Sequence, residues 1–396
     1  MTIHHPLPAN PVATPMPLGP PPRRFNQAGI GSAVAVVVLG LLALVAVGVI
    51  GLSVGVDALP GASVLALVPL GVVLLAIRWV DRWEREPWQA LAVAFGWGAS
   101  VSVLVALVLN TGAQLVLLAG GSTMQTATVW GAAVVAPVVE ESIKAAGVLL
   151  VFLAWRRTFD GPVDGLVYAA TVAAGFAFVE NILYFGSAMV ESPGMADAGD
   201  AVVMTFLMRA VMSPFAHLLF TACTGLALGL AARSRSAHAW LWAFPLGLTL
   251  AIVLHGLWNG SAMLSDQSAF YVLYVLFQVP LFLAVVAMAF WLRRREAAVV
   301  RTRLTEYAAA GWFASAEVAM LASLRERRRA RGWAAGRGGG RARRAMRDFQ
   351  LAATRLAYQR NRILTGRADR GALLDEGLLL GEVNAARLEL MSSLAV

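Results

Sequence analysis

The sequence predicts an all-α fold: a polytopic membrane helix bundle of about eight transmembrane helices with a basic helical cytoplasmic tail. Three observations carry that expectation. Of 396 residues, 59% are hydrophobic and only 14% charged. Apolar runs of about 20 residues or more recur along the chain, which excludes an ordinary soluble domain. Arg residues gather in every second loop, as they do when a chain crosses a bilayer repeatedly.

Residues 1–26 are Pro-rich and lack a periodic apolar pattern, so a disordered lead is expected there. The first apolar run, about 25 residues, is too long for a signal-peptide core and is expected to remain as a span. Eight spans are expected at roughly 28–52, 59–78, 89–110, 126–155, 163–187, 202–232, 239–263 and 269–292. Each suffices for a ~30 Å hydrocarbon core at ~1.5 Å rise per residue. The chain therefore divides into the lead (1–26), a transmembrane domain (27–292) and an Arg-rich tail (293–396).

Orientation follows from the loops. Arg23 and Arg24 precede the first span; Arg78, Arg82 and Arg85 follow the second; Arg156 and Arg157 follow the fourth; Arg233 and Arg235 follow the sixth; Arg293, Arg294 and Arg295 close the eighth. The intervening loops contain no Lys or Arg, which places both termini in the cytoplasm of a multi-pass inner or plasma membrane protein. Trp79, Trp83, Trp88, Trp155, Trp240, Trp242 and Trp291 fall near the same ends, as an interfacial aromatic belt would.

The net charge of +9 belongs to the tail. From Arg293 onward 21 Arg face 10 Asp and Glu, a net +11 that leaves −2 for the rest. Apolar positions recur at helical spacing in Ala316–Leu324 and Met346–Leu364, separated by the breaker Gly336–Gly340, so two or three amphipathic helices are expected. Such a basic surface suits anionic membrane lipid, or else forms a helical hairpin with a solvated Arg face. No nucleic acid is expected, since no recognition motif accompanies the Arg residues. The single cysteine, Cys223, excludes an intramolecular disulfide and a thiolate metal cage.

Four polar constellations interrupt the apolar spans. Charge in hydrocarbon costs about 2.5–3.5 kcal/mol per Asp, Lys or Arg on insertion scales, so such residues mark working sites. In the fourth span Glu140 and Lys144 share a helical face, while Glu141 points about 100° away. Two adjacent carboxylates resist simultaneous ionisation, which suits general acid/base work; a helix-locking salt bridge is the structural alternative. Glu180 and Asn181 lie in the fifth span, where Glu180 suits metal ligation or proton sharing and an interhelical hydrogen bond is the alternative. His217 lies near the middle of the sixth span. His255 and Asn259, four apart on one face of the seventh, bring an imidazole and an amide to one point, and the amide suits an oxyanion donor or a helix-to-helix hydrogen bond. Arg209, near the outer end of the sixth span, reads as a snorkelling residue.

Glu140-Glu141-Ser142-Ile143-Lys144, Phe176-Ala177-Phe178-Val179-Glu180-Asn181, His217 and His255-Gly256-Leu257-Trp258-Asn259 follow one another across four consecutive spans. In that order and spacing they resemble the PrsW family of intramembrane proteases, relatives of the CAAX-protease membrane superfamily. The stretch Asp81-Arg82-Trp83-Glu84-Arg85-Glu86-Pro87 is similar to the acidic, proline-ended loop that precedes that family's core. The resemblance covers about residues 78–265. It implies peptide-bond hydrolysis in or at the membrane, with a membrane-anchored regulator such as an anti-sigma factor as the kind of substrate.

Two mechanisms remain open on the residues alone. In one, His217, His255 and a carboxylate, Glu180 or Glu140, bind a metal, with zinc the expected ion, and the remaining Glu acts as base. In the other, which is metal-free, Glu140 activates water ordered by His217, His255 and Glu180, and Asn259 stabilises the oxyanion. No HExxH motif decides between them. Buried Glu, His and Lys also serve proton-coupled transporters, although no internal repeat or paired Gly/Pro-broken spans support that class. A non-catalytic membrane scaffold is the third alternative.

Overall fold

A computed structural model describes residues 27–156, 158–190, 198–263, 267–366 and 371–395, so the lead expected over 1–26 lies outside the described residues. Every regular element among the described residues is a helix. They form two compact units: Asn26–Asp81 with Glu86–Ala289, and Arg82–Arg85 with Phe290 onward.

The first unit contains α1 (Gln27–Val54), α2 (Leu59–Val80), α3 (Trp88–Trp97), α4 (Val103–Ala119), α5 (Met124–Trp130), α6 (Ala136–Ala154), α7 (Pro162–Val190), α8 (Ala198–Phe206), α9 (Ala216–Ala232), α10 (Trp240–Ala262), α11 (Gln267–Leu273) and the start of α12 (Val279–Ala309). Seven helices among the described residues are long and apolar enough to cross a membrane, judged by length and composition. The span expected at 126–155 is helical through α5 and α6, but Glu140, Glu141 and Lys144 on its second half keep it outside that set. The bundle is thus a polytopic membrane fold, and eight is an approximate count.

Local signals fix the helix ends. Thr123 caps α5 by accepting from the Thr126 amide at 3.2 Å. Pro137 follows closely on the π turn Gly131–Val135 and, lacking an N–H, leaves a carbonyl of that turn without its helical bond. Asp164 accepts from the Asp160 and Gly161 amides at 2.7 and 2.8 Å, tying down the start of α7.

The unit is built around α7, most of whose residues are buried against α2, α3, α6 and α9. Small residues permit this. A Cβ on Gly165 would lie 2.0 Å from the Gly225 carbonyl oxygen, and one on Gly225 would lie 2.1 Å from that of Gly165, so the α7 and α9 backbones touch. In lipid, where apolar burial does not drive helices together, such close backbone packing supplies much of the association.

Four helices are interrupted by π turns, at Gly98–Ser102, Gly131–Val135, Leu207–Met212 and Tyr274–Gln278. Each wider turn rotates the following side chains away from the register that a 3.6-residue period predicts. Arg209 lies in the third.

In the second unit α12 continues into α13 (Ser315–Leu321), α14 (Leu324–Leu364) and α15 (Ala372–Leu394). The expected breaker works as a hairpin point within α14: Gly338 and Gly339 leave helical geometry, and Gly339 adopts φ 63°, ψ −152°, open in practice only to glycine. The core joins Leu304, Tyr307, Leu321, Phe349 and Leu356 to Trp83. Trp83 is therefore a buried core residue of this unit and not part of an interfacial belt, because its ring packs in that core and under the Arg327 guanidinium, 4.7 Å away.

The glycine contact is testable. Gly225→Leu should cost more than the about 1–3 kcal/mol of ordinary overpacking, since backbone and not a flexible side chain opposes it, and folded yield in detergent should collapse. Gly71→Ala, with nothing within 4 Å of the added methyl, should leave thermal unfolding unchanged. Equal behaviour of the two variants would contradict the packing.

Candidate active site

The charged residues of α6 lie in the apolar interior of the first unit, held there by the neighbouring helix. Trp97 Nε1 on α3 donates to the Ile143 carbonyl at 2.9 Å, and Gly147 leaves room for the same indole. This fixes the rotation of α6. Glu141 and Lys144 are both fully buried and pair at 2.6 Å, whereas Lys144 lies 3.8 Å from Glu140. The ammonium thus spans both carboxylates, with the shorter contact to the one that helical spacing put on a separate face. Glu141 turns toward α9 and α10, where its oxygens accept from Thr221 Oγ1 at 2.8 Å and meet His255 Nδ1 at 3.0 Å.

The second imidazole continues the chain of contacts. His217 Nδ1 lies 3.2 Å from Lys144 Nζ, and its Nε2 lies 2.9 Å from Glu180 Oε2. Glu180 is also bound by Arg209, whose Nε donates to Asn181 Oδ1 at 2.7 Å and whose guanidinium stacks 3.9 Å over Tyr184. Arg209 does not snorkel. The π turn at Leu207–Met212 carries it inward, where a carboxylate and an amide compensate its charge. Phe176 and Phe220 pack against the two imidazoles, and the ring centres of His217 and His255 are 5.3 Å apart.

Glu140, Glu180, Arg209, His217, His255 and Asn259 all border one cavity of about 230 Å³. Asn181 reaches it through Arg209, while Glu141 and Lys144 stand behind its wall. Asn259 Nδ2 donates to the Ala132 carbonyl in the second π turn at 2.9 Å; one amide hydrogen therefore ties α10 to that turn and the other is left over.

The residues present suit a metal ion. One donor atom each from Glu140, His217 and His255 lies within 4.8 Å of the others. His255 uses Nδ1 on Glu141 and so turns Nε2 toward Glu140 Oε2, 4.0 Å away. That Oε2 is buried without a hydrogen-bond partner, an expensive state for a carboxylate oxygen. Two imidazoles and a carboxylate form the donor set of a three-ligand catalytic zinc site, and Glu141 behind His255 supplies the carboxylate–histidine support such sites use. Of the two carboxylates expected as third ligand, Glu140 is the one whose oxygen lies with the two imidazole donors. Glu180 is engaged by Arg209 and His217, which leaves Glu140 as the carboxylate available beside the imidazoles. To ligate, His217 has to release either Lys144 or Glu180.

Thr221 and Asn110, whose Nδ2 lies 3.4 Å from Glu140 Oε1, were not singled out by the sequence. Thr221 had a signal, four residues after His217 and hence on the same helical face. Asn110 had none.

Glu141→Ala should strand Lys144, and breaking a buried pair costs about 3–5 kcal/mol. Asn259→Ala removes an interhelical hydrogen bond of about 0.6 kcal/mol. Thermal unfolding in detergent should fall steeply for the first and slightly for the second; equal shifts would mean that Lys144 re-pairs with Glu140 at no cost.

Comparison with known proteins agrees with this geometry. Residues 86–297 match the family described as PrsW family intramembrane metalloprotease. Similar relatives are "Protease PrsW" of Clostridioides difficile, 33% identical over 41% of this chain and 62% of the relative, and "Protease PrsW" of Geobacillus kaustophilus, 29% identical over 51% of this chain and 80% of the relative. A third, from Bacillus subtilis, is 34% identical over 31% of this chain and 47% of its own length. The matches thus span about half to four fifths of these relatives. No solved structure matches the chain. The family match covers more than half of the sequence and includes the eight residues of the four polar constellations, so the chain belongs to the PrsW family of intramembrane metalloproteases.

Proposed function

We propose that the chain is an intramembrane peptidase that hydrolyses a peptide bond of a membrane-anchored protein, with a regulator of the anti-sigma-factor kind as the substrate class. The observation that carries this reading is Glu140 Oε2, which has no hydrogen bond, with Lys144 Nζ 3.8 Å away, and lies 4.0 Å from His255 Nε2 at a cavity inside an apolar bundle. In this reading Glu140, His217 and His255 hold a divalent metal, zinc by the chemistry of the donors. When bound, the metal supplies Lewis acidity toward the scissile carbonyl and the attacking water.

The protein residues do the rest. Glu141 fixes the ring orientation of His255 and, with Lys144, holds the acidic turn of α6 in the low-dielectric interior. Glu180 steadies His217 and is the cavity carboxylate left to accept the proton of the attacking water; Arg209 and Asn181 set its position. The second hydrogen of the Asn259 amide serves as donor to the oxyanion while the first keeps α10 on the π turn. Phe176, Phe220 and the surrounding spans limit water, which strengthens each of these interactions.

In reconstituted protein, His217→Ala and His255→Ala should each lose both bound metal and cleavage, read by elemental analysis and mass mapping of new substrate termini. Asn259→Ala should lower turnover by about 10²–10³ while keeping the metal. Full cleavage by chelator-treated protein free of zinc would refute the metal reading. Proton flux into liposomes without proteolysis would replace the peptidase by a transporter.

The alternation of basic loops supports an orientation with both termini in the cytoplasm and eight crossings. Reporter fusions after Arg24, Arg157 and Leu292 should all read cytoplasmic, and a periplasmic signal from any one would overturn that topology.

A further inference from the structure

Five arginines with no part in the proposed hydrolysis converge in the second unit: Arg85, Arg328, Arg331, Arg343 and Arg347. The hairpin at Gly338–Gly339 folds α14 into two limbs, and bonds between the limbs set their register. Arg327 donates to Thr354 Oγ1 at 2.7 Å, Arg331 to Gln350 Oε1 at 2.7 Å, and Gln350 Nε2 to the Arg327 carbonyl at 3.0 Å. Arg328 and Arg331 of one limb thereby stand beside Arg347 of the other. Arg85 arrives separately, two residues after the buried Trp83.

The convergence is repulsive. Arg331 is held below its ordinary pKa first by burial and then by Arg85, Arg328, Arg343 and Arg347, whose side chains are exposed. Three carboxylates of this unit pair elsewhere, Glu326 with Arg329 at 2.8 Å, Glu389 with Arg341 at 2.7 Å and Glu317 with Arg387 at 3.1 Å. Within the cluster, Arg347 has Asp348 at 3.4 Å. Guanidinium groups gathered by a folded core against their own repulsion suit a polyanion, and their planar forks suit phosphate oxygens.

Chain connectivity says which polyanion. Arg85 lies between Val80, the last residue of α2, and Trp88, the first of α3. Both α2 and the continuous helical run Trp88–Ala119 that α3 begins are long and apolar enough to cross a membrane. At ~3.4 Å per residue, the chain keeps Arg85 within roughly 10–17 Å of both helix ends, a juxtamembrane position.

We propose that Arg85, Arg328, Arg331, Arg343 and Arg347 form a binding surface for the phosphates of anionic phospholipid headgroups. A juxtamembrane cluster of four to eight basic residues is the size such recognition uses.

The test uses the full chain in detergent, titrated with phosphatidylglycerol or phosphatidylcholine and read by native mass spectrometry. Wild type should retain phosphatidylglycerol in preference to phosphatidylcholine. Arg328→Gln/Arg343→Gln/Arg347→Gln should weaken phosphatidylglycerol binding by about tenfold or more, and the matching Arg→Lys triple should keep most of it. About 10 mM glycerol phosphate should not displace the lipid, because a soluble phosphate lacks the acyl chains that hold lipid in the micelle beside the protein. Should the Gln triple not fold, Arg328→Gln and Arg347→Gln, both at exposed positions, should each weaken binding severalfold. Unchanged lipid binding in the folded variants would overturn the proposal. So would displacement by glycerol phosphate, which would make the ligand a soluble phosphate, or tighter binding of an RNA oligonucleotide than of lipid to this same cluster.

Discussion

The fully buried pair Lys144–Glu141 is the interaction on which the rest of this bundle depends. A carboxylate turn inside a membrane protein is sustained only when each charge finds a partner, and here one ammonium serves two glutamates and an imidazole. Every other placement follows from that turn. Glu141 draws in Thr221 and His255, Lys144 draws in His217, and His217 leads to Glu180, Arg209 and Asn181. The result is one connected polar network across α6, α7, α9 and α10, assembled where lipid supplies no competing hydrogen bonds.

Such a network requires backbones that approach closely and helices that break period. The Gly165–Gly225 contact brings α7 and α9 together closely enough for Glu180 to meet His217. The π turns then redirect individual groups: one turns Arg209 inward, and another offers the Ala132 carbonyl that orients Asn259. One carboxylate oxygen, Glu140 Oε2, is left without a bond in the midst of these satisfied groups. Glu140 Oε2, without a hydrogen bond at the edge of a cavity bordered by two imidazoles, is where a ligand would complete the network.

Glu140, Glu141, Lys144, Glu180, His217 and His255 were legible because charge in an apolar run is visible against its background, and helical spacing then assigns faces. The fold class was legible for the same reason. Arg209 was not, since a snorkelling Arg and an inward one read identically until a π turn is known. Helical spacing also paired Lys144 with Glu140, whereas tertiary contacts to α9 and α10 gave the closer contact to Glu141. Trp83 lies in a loop that looks interfacial, and its place in the core around α14 depends on contacts more than 200 residues away in sequence, beyond any local pattern.

The central claim is that Glu140, His217 and His255 form a metal centre. Anomalous diffraction at the zinc edge from crystals grown with zinc tests it most directly. The account predicts one strong peak bonded to Glu140 and both imidazoles at ~2.0–2.2 Å, with Lys144 or Glu180 withdrawn from His217. An empty cavity in a proteolytically active crystal form, with Lys144 and Glu180 both still on His217, would contradict it.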